Sequence, residues 1–281
     1  MGARGHAERV PLRRRPFPGR RHHGDGAARA AAARMRADEE SWLVAAAADD
    51  PRRLAELRAR VASGEPTAYV AGFIEYAGRR FAMDRRAFIT DPESRPLLDQ
   101  AFAEGRRLQP TLTRPLRVLE FGVGAGTLAI TLKLAAPGWE LWGLDVDPPA
   151  LELARENALR HGVELNLLHS DYLSGWPANE TPPDLIFGDP PWGDAGDVYA
   201  DGRDARYYEQ MPRASAFPQQ GGRSGIHDEL IRRLAASGWR SLLLLNYGML
   251  PEDLIARSAA PLRQWQILQP RPGISLLRGR M

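Results

Sequence analysis

One short segment, residues 185–194, combines residue types that can hold a nitrogen nucleophile. An apolar run ends there at Asp189, which is followed by Pro190, Pro191 and Trp192. Because proline has no N–H and a fixed φ, the prolyl carbonyls and the carboxylate can point the same way beside the indole ring. Such acceptors suit an amino group whose hydrogens are held while its lone pair faces an electrophile. Taken alone, the segment is better explained as a strand that ends in a Pro-Pro turn.

A glycine-rich turn lies upstream of this segment. Residues 118–121 have the pattern of a buried strand and lead into Gly122, Gly124 and Gly126. Glycines at such positions allow positive φ and a close approach of the backbone to a ligand. The dinucleotide fingerprint would place its third glycine one residue later, so the spacing indicates a different ligand. Alone, the turn is a weak signal.

Acidic residues follow the next two predicted strands. Asp145 ends a strand and could accept from both ribose hydroxyls, while Asp171 could accept from an exocyclic amine. Singly, such residues are more often caps or turn formers. Ligands of wound sheets bind at the carboxyl ends of strands, so these segments together predict one pocket. The predicted cofactor-binding residues are Glu120, Phe121, Gly122, Gly124, Gly126, Asp145, Val146, Asp171 and Tyr172. The predicted catalytic residues are Asp189, Pro190, Pro191 and Trp192.

The elements that must position these residues alternate between strand and helix patterns. Predicted strands cover residues 118–121, 141–144, 165–168, 185–187 and 242–245, with helical patterns between them. Alternation of this kind is typical of a parallel sheet with helices on both faces. Two further strand patterns, at 265–268 and 274–277, flank a Pro-Arg-Pro-Gly turn and predict an antiparallel end to the sheet. The predicted fold class is α/β.

The first third of the chain differs from this pattern. Its opening residues are rich in Arg, Gly, Pro and His without an apolar period. Asp50 and Pro51 suit a helix start, and aromatic residues alternate with polar ones from Tyr69 to Ile89, which predicts a hairpin. The predicted domains are a disordered Arg-rich tail (1–26), a short helical domain (27–63), a linker with a β-hairpin (64–92) and the main domain (93–281).

Composition excludes several kinds of site. The chain has no Cys, so disulfides and thiolate metal sites are excluded, and its 6 His show no metal-ligand spacing. We therefore predict no metal. No apolar run approaches a membrane span and the N-terminus lacks a signal-peptide core, which predicts a soluble, cytoplasmic protein. The net charge of +3 hides ten Arg in residues 1–36, after which acidic residues outnumber basic ones, 33 to 28. An acidic body argues against nucleic acid as a partner.

Four segments together resemble one known family. They are Gly64–Tyr69, similar to the family's linker opening, Val118–Gly126, similar to its first motif, Gly143–His161, similar to its ribose segment, and Asp184–Trp192, similar to its Asn-Pro-Pro-Tyr motif. On these segments the chain resembles the HemK-type (PrmC-like) S-adenosylmethionine-dependent N-methyltransferases, which methylate the side-chain amide nitrogen of glutamine in release factors and other proteins. The resemblance extends from residue 64 to the C-terminus.

The resemblance implies a fold, a cofactor and residue roles. The fold would be a Class I, Rossmann-like methyltransferase sheet of seven strands behind a small N-terminal helical domain. S-adenosyl-L-methionine would be the cofactor, held by Gly122, Gly124 and Asp145, with Asp171 and Tyr172 bordering the adenine. The segment 189–192 would hold the acceptor nitrogen.

Departures from the family pattern bear on the acceptor. Asp189 stands where the family has Asn, Trp192 stands where it has Tyr, and the linker lacks the Arg and the second Glu of the family's Arg-Pro-Glu-Thr-Glu. An Asn can donate to an amide carbonyl and accept from its nitrogen, whereas an ionised Asp only accepts. We therefore predict an N-methyltransferase acting on an amine- or guanidine-type nitrogen of a small molecule or peptide. The alternative is a release-factor glutamine N5-methyltransferase.

Three other functions share parts of this pattern. An adenine-N6 nucleic-acid methyltransferase would explain Asp-Pro-Pro-Trp but conflicts with the acidic body. A nicotinamide-dependent oxidoreductase would share the glycine turn and Asp145, and a non-catalytic module of the same fold would share the pocket. The segment 193–222 lacks periodicity and contains Tyr199, Tyr207 and Tyr208. It is predicted as a solvated loop, or alternatively as a lid over a cationic acceptor.

Overall fold

The computed structural model describes residues 39–194, 205–218 and 220–281. The predicted tail, residues 1–26, lies outside these ranges. Helices come first in the described part: α1 (39–47), α2 (Pro51–Ala62) and α3 (Thr67–Ala71). Helix α2 begins where the sequence predicts, because Asp50 Oδ1 accepts from Arg52 N at 2.9 Å and Pro51 occupies the first turn. Leu43, Leu57 and Val70 join these helices in a small apolar cluster.

The linker hairpin is shorter than predicted. It consists of β1 (Phe73–Tyr76) and β2 (Arg79–Ala82), so the expectation that it extends from Tyr69 to Ile89 is wrong. Tyr69 is helical instead, and α3 ends at Gly72 with φ +80°. The Tyr69 ring is buried and its hydroxyl donates to Ala87 O at 2.7 Å. Tyr69 therefore joins two parts of the linker and packs in the same core as residues of the main domain.

The main domain is built on a sheet of seven strands. These are β3 (Arg117–Phe121), β4 (Glu140–Asp145), β5 (Asn166–His169), β6 (Leu185–Gly188), β7 (Leu242–Asn246), β8 (Gln264–Arg271) and β9 (Ile274–Arg280). The strand order is β5-β4-β3-β6-β7-β9-β8. The pairs from β5 to β7 are parallel, and β9 is antiparallel to both β7 and β8. The predicted α/β class and the antiparallel end of the sheet are confirmed.

Helices cover both faces of the sheet. They are α4 (Arg95–Leu108), α5 (Thr127–Ala135), α6 (Pro148–Arg160), α7 (Ala205–Glu209), α8 (Arg213–Ala216), α9 (Gly225–Ser237) and α10 (Glu252–Ser258), with 3-10 turns at Pro92–Ser94 and Gln109–Thr111. Alternate residues of the central strands enter two separate cores: Val118 and Leu185 enter one, Leu119 and Ile186 the other. Burial on both faces explains why these strands are largely apolar, with Glu120 the exception among residues 118–121.

Part of the segment 193–222 is ordered into the core. The structure has the short helices α7 and α8 there, and Tyr208 and Met211 are buried. For these residues the expectation of a solvated loop is wrong. Gln210 also ties the segment to the linker, because its Nε2 donates to Gly64 O and its Oε1 accepts from Arg85 at 3.2 Å. Tyr199 lies outside the described residues.

One buried side chain joins the hairpin, the glycine turn and helix α6. Asn157 is 0% exposed, and its Oδ1 accepts from Ala82 N at 2.7 Å. Its Nδ2 donates to Ala82 O at 3.0 Å and to Ala125 O at 2.9 Å. The carboxamide therefore satisfies three backbone groups that have no access to water.

We expect Asn157→Leu to lower the free energy of unfolding by about 2–5 kcal/mol, because each buried polar group left without a partner costs about 1–3 kcal/mol. Urea denaturation measures the difference. Asn179→Leu, at an exposed position, is the matched control. Equal unfolding free energies for the two variants would show that Asn157 does not join these elements.

Candidate functional site

The predicted site segments meet at the carboxyl ends of three neighbouring strands. Phe121, at the end of β3, is in register with Leu144 of β4 on one side and with Gly188 of β6 on the other. The turn after β3 therefore lies between Asp145 and Asp189. Sequence order alone does not place β3 between β4 and β6; the sheet topology does.

The glycine turn is open where a ligand would approach. Gly122 and Gly124 have φ of +71° and +51°, and a Cβ at either position would meet no atom within 4 Å. Gly126 differs, because its Cβ would lie 3.0 Å from Ile130 Cδ1 and 3.2 Å from Ala154 Cβ. The first two glycines thus leave space beside the backbone, and the third allows α5 and α6 to pack closely.

Asp145 is held by the turn that it faces. Its carboxylate is buried, Oδ2 accepts from Gly124 N at 2.8 Å, and Oδ1 accepts from Asp147 N at 3.0 Å. Burial raises the pKa of Asp145, while these two N–H donors oppose the rise. Each oxygen keeps a second lone pair, so the carboxylate can still accept from two hydroxyl groups. Val146, the next residue, is 53% exposed at the same edge.

An aromatic pair lies beside this carboxylate. The rings of Phe121 and Tyr172 are stacked, with centroids 5.6 Å apart and planes at 28°. Asp171 is exposed, and its Oδ2 lies 3.3 Å from Nη2 of Arg233 on α9. The same guanidinium lies 4.5 Å from the centroid of the Tyr172 ring. Arg233 is not predicted from the sequence, because nothing in the helical pattern of α9 distinguishes it.

Glu120 lies behind the turn rather than in the open part of the site. It is 3% exposed, and its Oε2 accepts from Ala129 N at 2.7 Å. Burial raises the pKa of Glu120 well above its ordinary value, and the charges of Asp145 and Asp189 add to this. The carboxyl group therefore fixes the start of α5 against β3, and a direct contact with a ligand stays a prediction.

Asp189 follows β6 and is partly buried. Its Oδ1 accepts from Asn246 Nδ2 at 2.8 Å, and its Oδ2 has no hydrogen-bond partner within the described residues. Burial raises the pKa of Asp189 to about 7, with the charge of Asp91 raising it further and the Asn246 hydrogen bond opposing the rise. Near neutral pH the neutral acid is therefore populated beside the carboxylate, and it can donate as well as accept, so the role of Asp189 stays a prediction.

The rest of the predicted catalytic segment is at least partly buried. Pro190 is buried, and Pro191 and Trp192 are partly buried. The Trp192 indole packs directly over Gly248, where a Cβ would lie 2.0 Å from the ring atom Cζ2. Gly193 N donates to Arg223 O at 2.8 Å and fixes the exit of the segment. Asn246 and Gly248 were missed in the sequence, although they follow an apolar strand just as Asp189 does.

Neither a metal site nor a membrane span occurs in the described ranges. There, no three His, Asp or Glu side chains are grouped so that they could hold a metal ion. No helix in the same ranges is long and apolar enough to cross a membrane.

Comparisons with known proteins agree with this geometry. The methyltransferase small domain family matches residues 103–202. The chain is 30% identical over 222 residues to the release factor glutamine methyltransferase of Nitratidesulfovibrio vulgaris, covering 77% of this chain and 71% of that protein. It is 32% identical to the corresponding proteins of Neisseria gonorrhoeae and Koribacter versatilis, over 58% and 69% of this chain. The chain spans 58% and 65% of the lengths of those two relatives.

A solved structure shares the fold. The Thermus thermophilus 16S rRNA N2 G1207 methyltransferase, determined with AdoMet and guanosine, superposes with a TM-score of 0.50 at 19% identity. The alignment covers 74% of this chain and 49% of that one. This likeness shows that the sheet is of the Class I methyltransferase type.

Proposed function

The chain belongs to the HemK-type (PrmC-like) family of release factor glutamine methyltransferases, and we propose that it transfers a methyl group from S-adenosyl-L-methionine to the side-chain amide nitrogen of a protein glutamine. One observation carries the proposal. The Asp-Pro-Pro-Trp segment and Asp145 follow the two strands that flank β3, so both adjoin the open glycine turn. A cofactor bound at that turn would lie beside an acceptor held by Asp189.

The residues at the turn fit this cofactor. Gly122 and Gly124 leave room for a ligand against the backbone, and the Asp145 carboxylate has lone pairs for both ribose hydroxyls. Val146 and Tyr172 offer apolar surface for the adenine. When bound, the cofactor supplies an electrophilic methyl group. The protein's own part is to hold the acceptor nitrogen in line and to exclude water, and orientation of this kind is worth about 7–11 kcal/mol.

The state of Asp189 decides which acceptor it suits. A neutral carboxyl group combines one O–H donor with acceptor oxygens, which is the combination an Asn offers. Neutral Asp189 can therefore donate to a glutamine carbonyl while an oxygen or a prolyl carbonyl accepts from the amide N–H. The replacement of Asn by Asp189 is thus compatible with a glutamine acceptor. The relatives support a protein acceptor, and they do not support the small molecule predicted from the sequence.

One observation favours a second acceptor class. The charge of Asp91 acts on Asp189, since it contributes to the raised pKa of that group. An amine or guanidine on a peptide would be attracted to this charge when Asp189 is ionised. We rank this acceptor second. A release-factor substrate would also place the protein in the cytoplasm.

Methyl transfer to a panel of acceptors tests the proposal. The wild type is incubated with radiolabelled S-adenosyl-L-methionine and a release factor, or with free amino and guanidino compounds, and incorporated label is counted. We expect label in the release factor alone. Label only in the amino or guanidino compounds would refute the glutamine acceptor, and label in none of the panel would count against the methyltransferase assignment itself.

A further inference from the structure

Asn246 connects the predicted catalytic segment, residues 189–192, to the interior of the protein. It ends β7, is 6% exposed, and its Nδ2 donates to Asp189 Oδ1 at 2.8 Å. Its own Oδ1 accepts from Gly248 N at 3.0 Å. A backbone N–H can only donate, so the bond from Gly248 fixes which end of the carboxamide is oxygen. The NH₂ group must therefore face Asp189.

We propose that Asn246 is a positioning residue that holds Oδ1 of Asp189 and so reserves Oδ2 for the acceptor and for the titrating proton. The proposal rests on the proposed function, because it assigns Asp189 to acceptor binding. Asn246 is the only described side chain that donates to Asp189. Without it, the carboxyl group could rotate and present either oxygen.

His227 of α9 forms a hydrogen bond with the backbone carbonyl of Asn246. Its imidazole is fully buried, and its Nε2 lies 2.8 Å from Asn246 O. Burial lowers the pKa of His227 to about 4, so the ring is neutral and Nε2 must carry the proton that it donates to the carbonyl. The residue that donates to Asp189 is thus held at two points: its backbone carbonyl accepts from His227, and its side-chain oxygen accepts from Gly248 N.

Loss of the Asn246 donor is expected to change the pKa of Asp189 in one direction. A hydrogen bond to the charged form of a carboxyl group lowers its pKa, so removal of the bond raises the pKa of Asp189. The other groups that face Asp189 electrostatically are Asp91 in the linker, Glu120 in β3 and Tyr76 in β1. A negative charge on any of these three groups favours the neutral form of Asp189. Within the described residues, the Asn246 hydrogen bond is thus the contact that favours the ionised form of Asp189.

Steady-state kinetics of Asn246→Leu test the proposal. We expect kcat for the release factor to fall about 10- to 100-fold, since a small misplacement of a positioned group has an effect of this size. The affinity for S-adenosyl-L-methionine should stay within about threefold, because Asn246 does not contact the residues around Asp145. Asn246→Asp is the second variant. Its ionised carboxylate can still accept from Gly248 N–H, but it has no hydrogen to donate to Asp189. Asn166→Leu, at the far edge of the sheet, is the control.

The pH dependence separates positioning from mere stability. If neutral Asp189 is the active form, activity is lost as pH rises through its pKa, so both Asn246 variants should lose activity at higher pH than the wild type. In an Asp189→Asn background, Asn246→Leu should leave the pH profile unchanged. The proposal would be overturned if both variants lost activity at the same pH as the wild type while circular dichroism showed that they were folded.

A titration without any acceptor distinguishes this proposal from the proposed function. The carboxyl carbon of Asp189 is followed by carbon-13 NMR in the wild type and in Asn246→Leu. An upward shift of the Asp189 pKa supports the contact even in a protein that methylates nothing in the panel, where only the proposed function would fail. An unchanged or lower pKa would overturn the positioning role whatever the acceptor.

Discussion

Asp189→Ala is expected to lower kcat for methyl transfer by about 100-fold or more, because the acceptor nitrogen loses the group that aligns it. S-adenosyl-L-methionine affinity should change little, since the glycine turn follows β3 itself and the Asp145 carboxylate follows β4, on the side of β3 away from Asp189. Single-turnover kinetics and calorimetry measure the two quantities separately. Asp253→Ala, on the exposed face of α10, is the control.

The form of the pH profile tests the role of Asp189 further. The pKa of Asp189 is raised to about 7, so the neutral acid predominates below that pH and the carboxylate above it. If the O–H donates to a glutamine carbonyl, activity is high below the pKa and falls as pH rises through it. Asp189→Asn should then remain active, and its activity should no longer fall as pH rises through about 7, because a carboxamide does not titrate. Activity that instead rises through the same pH would indicate an amine or guanidine acceptor.

Asp145→Ala is expected to weaken S-adenosyl-L-methionine binding about 10- to 100-fold, since hydrogen bonds to a charged group contribute about 1.5–3 kcal/mol. Two effects add here. The variant removes the acceptor proposed for the ribose, and it leaves Gly124 N and Asp147 N without the carboxylate that orders the turn. The dissociation constant is measured by calorimetry.

The matched control for this prediction is Asp99→Ala. Asp99 lies on the surface of α4, and among the described residues its ion pair is with Arg95, across one helical turn. Its removal should leave cofactor binding unchanged. If Asp145→Ala binds the cofactor as the control does, the assignment of the pocket at the glycine turn is wrong.

The fold was predictable from sequence because strand and helix periods alternate so regularly. Strands buried on both faces correspond to the apolar run at 185–187 and to the run at 118–121, which only Glu120 interrupts. The hairpin was harder, since Tyr69 looks like a strand residue but packs from a short helix. Helices α7 and α8 were missed because each is shorter than two helical periods.

The candidate site was predictable only in part. Motif positions identified Asp145 and Asp189, but not the partners that determine their state. Asn246 and Gly248 come from a strand far along the chain, and only the pairing of β6 with β7 brings them to Asp189 and Trp192. The raised pKa of Asp189 depends on burial, which a single sequence does not reveal. The roles of the site residues and the domain boundaries stay predictions.

The position of the transferred methyl group tests the central claim most directly. A release factor is incubated with the wild type and with S-adenosyl-L-methionine carrying an isotopically labelled methyl group, and its peptides are sequenced by tandem mass spectrometry. We predict one labelled methyl group, on the side-chain amide nitrogen of a glutamine, and none when Asp189→Ala replaces the wild type. A release factor that stays unlabelled, or a label on any other atom, would contradict the account.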